Sequence, residues 1–119
     1  MKNLLIAVTG LAFVALSGQV LAEAGPAPAH HIEIGKKVYE RAFGRGCGSC
    51  HEQAQNPQLP KLIDAGKLSK TDFAKVLKEG RKGMPKAIDQ IMELAPVKTA
   101  NMTEEESLNA VYDFLKSLK

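Results

Sequence analysis

From Ile32 onward, apolar and small residues recur at helical spacing: Ile32, Gly35, Val38, Tyr39 and Ala42. That pattern predicts a helix over about Ile32 to Phe43. Gly44 and Gly46 follow and let the backbone turn out of it. A glycine inside a helix costs about 1 kcal/mol relative to alanine, so Gly35 implies a second helix crossing closely at that point. Between Glu52 and Pro60 the chain is polar, carries Pro57 and Pro60, and predicts a loop, with a short helical segment around Lys61 to Ala65. Ser69-Lys70-Thr71-Asp72 resembles a capping box with Asp in place of Glu. It opens a helix with Phe73, Val76 and Leu77 on one face, ended by Gly80. Lys86 to Leu94 is weakly amphipathic through Ile88, Ile91 and Met92, which predicts another short helix before Pro96. The last element is the clearest. Thr103-Glu104-Glu105-Glu106 is a capping box whose acidic turn complements the helix dipole. Leu108, Val111, Tyr112, Leu115 and Leu118 then form one apolar stripe. No stretch alternates convincingly with period two, so the expected class is all-α.

The first residues follow a different rule. Met1-Lys2-Asn3 is a short basic start, Leu4 to Leu16 is apolar apart from Thr9 and Gly10, and Val20-Leu21-Ala22 places small residues before Glu23. This predicts a signal peptide over residues 1–22 and a periplasmic location. A retained membrane anchor is the alternative, although the run is short for a span. No cysteine stands near the cleavage point, which excludes a lipid anchor there. Residues 23–31 are small and proline-containing and read as a disordered lead-in, with His30 and His31 untethered in solvent. Residues 32–119 then form the domain.

Composition changes the picture in two places. Removal of residues 1–22 leaves 97 residues, few for burying sufficient apolar surface unaided. That chain carries 15 Lys and Arg against 13 Asp and Glu, close to neutral. The distribution is uneven: Lys61, Lys67, Lys70, Lys75, Lys78, Arg81, Lys82 and Lys86 crowd one stretch. Aromatic residues do not interleave with them, which argues against nucleic acid. The basic stretch fits a redox partner with an acidic docking surface, or a merely solvated face. A monomer is expected.

The chemistry lies in Cys47-Gly48-Ser49-Cys50-His51, which holds both cysteines of the chain. C-x-x-C-H is the attachment signature of a c-type haem. Two thiols at this spacing add across the two vinyl groups, and the following His ligates the iron. A thioredoxin-like dithiol needs a βαβ setting that the chain lacks. A zinc site needs further ligands of which there is no second C-x-x-C or H-x-x-x-H. A lone disulfide would close only a small, strained loop. One haem c through Cys47 and Cys50 would also give this small domain a large apolar centre, so the haem-free chain is expected to be largely unfolded.

The order of elements resembles class I monohaem cytochrome c over essentially the whole exported chain. An N-terminal helix runs into C-x-x-C-H, a proline-containing loop follows, then Met84-Pro85 and a capped C-terminal helix. Phe73 to Pro85 looks most like the small bacterial proteins of the cytochrome c5 sort. The resemblance implies that the terminal helices cross beside a covalent haem, the Gly35/Tyr39 face meeting the Val111/Phe114 region. It implies His51 and Met84 as the two iron ligands, with Met92 and Met102 as competitors for the second. It also implies Pro60 as the carbonyl that accepts the His51 hydrogen bond, with Pro57 as the alternative. The function implied is a soluble, non-enzymatic one-electron carrier of the respiratory chain. The alternative is a haem enzyme subunit, or a gas-binding protein with an open distal site.

Overall fold

A computed structural model describes residues 28–118. The predicted signal peptide and the start of the lead-in lie outside the described residues. Among the described residues seven α-helices follow one another: α1 (Pro28–Arg41), α2 (Gly48–His51), α3 (Leu59–Asp64), α4 (Lys70–Glu79), α5 (Ile88–Met92), α6 (Ala95–Thr99) and α7 (Glu104–Ser117). A 3-10 turn over Ala42–Gly44 leads out of α1. The all-α class and the order of the predicted helices hold.

The frame is the crossing of α1 and α7, the most extensive helix pair of the structure. Gly35 makes it possible, because it lies directly on the backbone of Ala110. Tyr39 and Phe114 extend the contact, with ring centroids 5.6 Å apart. Around that crossing Ile34, Val38, Leu108, Val111 and Leu115 are buried. Phe73 and Leu77 from α4, Ile88 and Ile91 from α5, and Val97 from α6 belong to the same core. The Tyr112 hydroxyl donates to the Leu68 carbonyl at 3.2 Å and the Tyr112 ring meets Phe73 edge-on, which ties α7 to the start of α4.

Both predicted caps form. The Thr103 hydroxyl accepts from the Glu106 N–H at 3.2 Å, and the Glu106 carboxylate accepts from the Thr103 N–H at 2.7 Å. Ser69 accepts from the Asp72 N–H at 3.1 Å, but the Asp72 carboxylate takes the Ser69 hydroxyl instead of its backbone N–H. Asp is one methylene shorter than the Glu of a full box, and here only one half of the exchange is made.

Four expectations need correction. Helix α1 begins at Pro28, so the lead-in is helical from there onward. His31 is not untethered: its Nε2 lies 3.1 Å from Asp113 Oδ2 on α7, and Lys70 reaches the other oxygen at 3.1 Å. Proline is favoured in the first turn of a helix, where its missing N–H has no intrahelical partner, and tertiary contact with α7 secures that turn. Helix α6 was not expected; Pro96 stands in its first turn, so the proline read as a stop is a start. Leu118 lies beyond α7 and is exposed, because the helix ends before the stripe would return to the core.

Candidate haem-attachment site

Gly46 sets up the site. Its φ of 85° is open to glycine, and a Cβ there would meet the Glu40 carbonyl oxygen at 2.7 Å. The chain therefore folds back on the end of α1, and the Cys47 N–H donates to the Tyr39 carbonyl at 2.7 Å. Cys47 is the N-cap of α2, a single turn that carries Cys50 and His51. Gly48 lies under the Glu52 side chain, where a Cβ would meet Oε1 at 2.6 Å and the Tyr39 hydroxyl oxygen at 3.2 Å. Both cysteines are free thiols, not a disulfide. Before attachment, burial pushes the Cys47 thiol up to about 11, so the unattached sulfur is protonated near neutrality.

His51 is oriented by its ring. Nδ1 lies 2.9 Å from the Pro57 carbonyl oxygen. As donor there, the ring carries its proton on Nδ1 and leaves the Nε2 lone pair for a metal. The accepting carbonyl is Pro57, not Pro60. Pro60 is taken into the first turn of α3, and its neighbourhood is the surface shared with Ile63, Asp64 and Lys116. Among the described residues no three His, Cys, Asp or Glu side chains gather into a set that could hold a metal ion such as zinc.

Met84 is placed by backbone geometry. Gly80 ends α4 at φ 77°, and a Cβ there would meet the Met84 carbonyl oxygen at 2.9 Å. Arg81 and Met84 then exchange both backbone hydrogen bonds, at 3.0 and 2.9 Å, across a tight turn with Lys82 at φ 53°. The Ala87 N–H donates to the Leu77 carbonyl at 2.9 Å, which returns the chain to α4. Met84 is half-buried and packs against the same core as Cys47 and Leu59. The two competing methionines, Met92 and Met102, have structural partners. Met102 is 5 % exposed within the core. Met92 accepts the Ser107 hydroxyl on its sulfur at 3.3 Å.

Most of the basic stretch is free. Lys70 pairs with Asp113 and Lys86 with Asp89. Lys61, Lys67, Lys75, Lys78, Arg81 and Lys82 are exposed and make no ion pair among the described residues. Arg81 and Lys82 stand in the turn that carries Met84.

The family model described as cytochrome c oxidase, cbb3-type, subunit III matches residues 31–115. The chain belongs to that family. The match runs from α1 through the haem motif to the last turns of α7. No curated protein and no solved structure compared with the chain gave a match. Membership corrects the expectation of a non-enzymatic carrier, because the family is a subunit of an enzyme complex. It supports the respiratory-chain setting and the c-type cytochrome module that the sequence resembles.

The residues fit the cofactor. Two cysteines free of any disulfide and a histidine with Nδ1 engaged stand on one short segment. Haem c is held covalently through Cys47 and Cys50. Among the described residues no helix is long and apolar enough to cross a membrane.

Sequence reasoning brought the prolines after His51 to the site but missed the amide side chains around Pro57. Gln53, Asn56 and Gln58 each use a side-chain amide to bind a nearby backbone carbonyl. The available signal was the run of amide residues Gln53, Gln55, Asn56 and Gln58 around Pro57, immediately after the haem motif.

Proposed function

We propose that the chain is the one-electron relay of a respiratory oxidase complex on the periplasmic side of the membrane, with His51 and Met84 as the residues that would hold the iron of its haem. The match over residues 31–115, which encloses both the haem motif and the Met84 turn, carries this reading. Haem iron cycles between two oxidation states, and a thioether ligand favours the reduced one. The protein supplies position and surroundings. His51 presents Nε2 because Nδ1 is engaged, and the Gly80–Met84 turn presents the sulfur from a pinned backbone. Held by both His51 and Met84, the iron would have no position left for a substrate, and the group would supply electron transfer alone. The cations around the Met84 turn orient the domain on an acidic partner surface.

A freely diffusing carrier is the competing reading, favoured by the unpaired lysines of α4 and the turn after it. Affinity purification of the oxidase from its own membranes separates the two. Co-purification of this chain in fixed ratio, with haem reduced and reoxidised during turnover, is expected of a subunit. An oxidase that purifies fully active without it, and takes electrons from it only on collision, would leave the carrier.

A further inference from the structure

We infer that Asn56 and Gln58 form an amide clamp that fixes the Pro57 carbonyl, and through it the imidazole of His51. The problem they solve is local. The carbonyl that accepts from His51 Nδ1 lies in a loop without regular structure, between α2 and α3. Proline has no N–H, so residue 57 cannot anchor itself by donating a backbone hydrogen bond. Its two neighbours do so instead. The Asn56 side-chain amide donates to the Cys50 carbonyl at 2.9 Å, tying the residue before Pro57 to the residue before His51. The Gln58 side-chain amide donates to the Gln53 carbonyl at 2.8 Å and to the Asn56 carbonyl at 3.1 Å, closing the loop from the other side. The Gln58 carbonyl accepts from the Leu62 N–H at 3.1 Å, which joins this arrangement to α3.

Both ends of the His51–Pro57 bond are thus referred to one short segment. A hydrogen bond to the distal nitrogen of a ligating imidazole sets its tautomer, its orientation and its basicity. Asn56 and Gln58 are positioning residues: they touch neither iron nor macrocycle. Asn and Gln suit the task because each amide donates without adding a charge beside the cofactor.

The inference rests on the reading of His51 as axial ligand, and the test keeps the two apart. The holoprotein is prepared as wild type, as Asn56→Asp/Gln58→Glu, and as Pro57→Ala. The double variant keeps side-chain shape while replacing each donor by an acceptor. In the reduced wild type, nitrogen-15 NMR locates the His51 ring; ring resonances without haem-induced shifts would refute the ligand reading itself. Exchange of the His51 Nδ1 proton with solvent then tests the clamp. Exchange at least about tenfold faster in the double variant is expected, since local opening is released when hydrogen bonds are removed. Backbone amides of α7 should exchange as in the wild type, and Pro57→Ala should keep the slow rate. An unchanged Nδ1 rate in the double variant would overturn the inference. So would equal acceleration in α7, which indicates general destabilisation, or a fast rate in Pro57→Ala alone, which assigns the constraint to the proline ring.

Discussion

A Cβ built on Gly35 would fall inside the backbone carbonyl of Ala110, and would stand 3.0 Å from the Val111 nitrogen. The obstacle is backbone, not a side chain that could swing away. Helices α1 and α7 therefore meet at main-chain distance, which seats Tyr39 against Phe114 one turn further along. Gly35→Ala must push the helices apart, and is expected to lower stability by about 1–3 kcal/mol, the usual cost of overpacking. The midpoint of denaturant unfolding of the holoprotein measures it. An unchanged midpoint would show that the crossing yields freely.

Gly80 and Met84 are coupled in the same steric way. Gly80→Ala places a Cβ against the Met84 carbonyl at a φ that costs about 1 kcal/mol or more for an L-residue. It is expected to weaken the thioether-to-iron absorption band, while Met84→Ala abolishes the band and lowers the midpoint potential. If Met84→Ala kept both, the ligand would have to be sought elsewhere, although Met92 and Met102 are already engaged.

Tyr39 makes stability depend on pH at the alkaline end. Burial first, and the Glu52 carboxylate second, push its phenol up to about 12. The unfolded chain releases this proton near the ordinary tyrosine value of about 10, so it binds fewer protons than the native state between those values. Unfolding is favoured as pH rises through that window, while below about 10 Tyr39 imposes no pH dependence. Unfolding curves between pH 9 and 12 should accordingly show a steeper loss for the wild type than for Tyr39→Phe. Parallel slopes would contradict the assignment.

The Cys47→Ala/Cys50→Ala variant removes the covalent attachment. With so small a core around α1 and α7, it is expected to lose most of its helical far-ultraviolet circular dichroism. A native-like helical signal would show that the helices pack without the haem.

Local rules made much of this protein legible in its residues. Helices α4 and α7 were readable because caps and apolar stripes are set by neighbours within a few positions, as at Ser69, Thr103 and Glu106. The C-x-x-C-H motif was readable because attachment chemistry demands that spacing. Gly35 was readable as a crossing, since only close approach compensates a glycine inside a helix. What local pattern cannot carry is the choice among residues that only folding brings together. Pro60 is preferred over Pro57 on the sequence, and the loop geometry around Asn56 and Gln58 gives the His51 contact to Pro57 instead. His31 looks like a solvent residue until α7 supplies Asp113, and Pro28 and Pro96 look like breakers until packing turns them into first-turn residues. The three candidate methionines differ in what surrounds them: the core encloses Met102, the Ser107 hydroxyl meets Met92, and a glycine-pinned turn holds Met84. Spacing along a chain encodes interactions within a turn or two, whereas partners tens of residues away are selected only by the shape of the folded core.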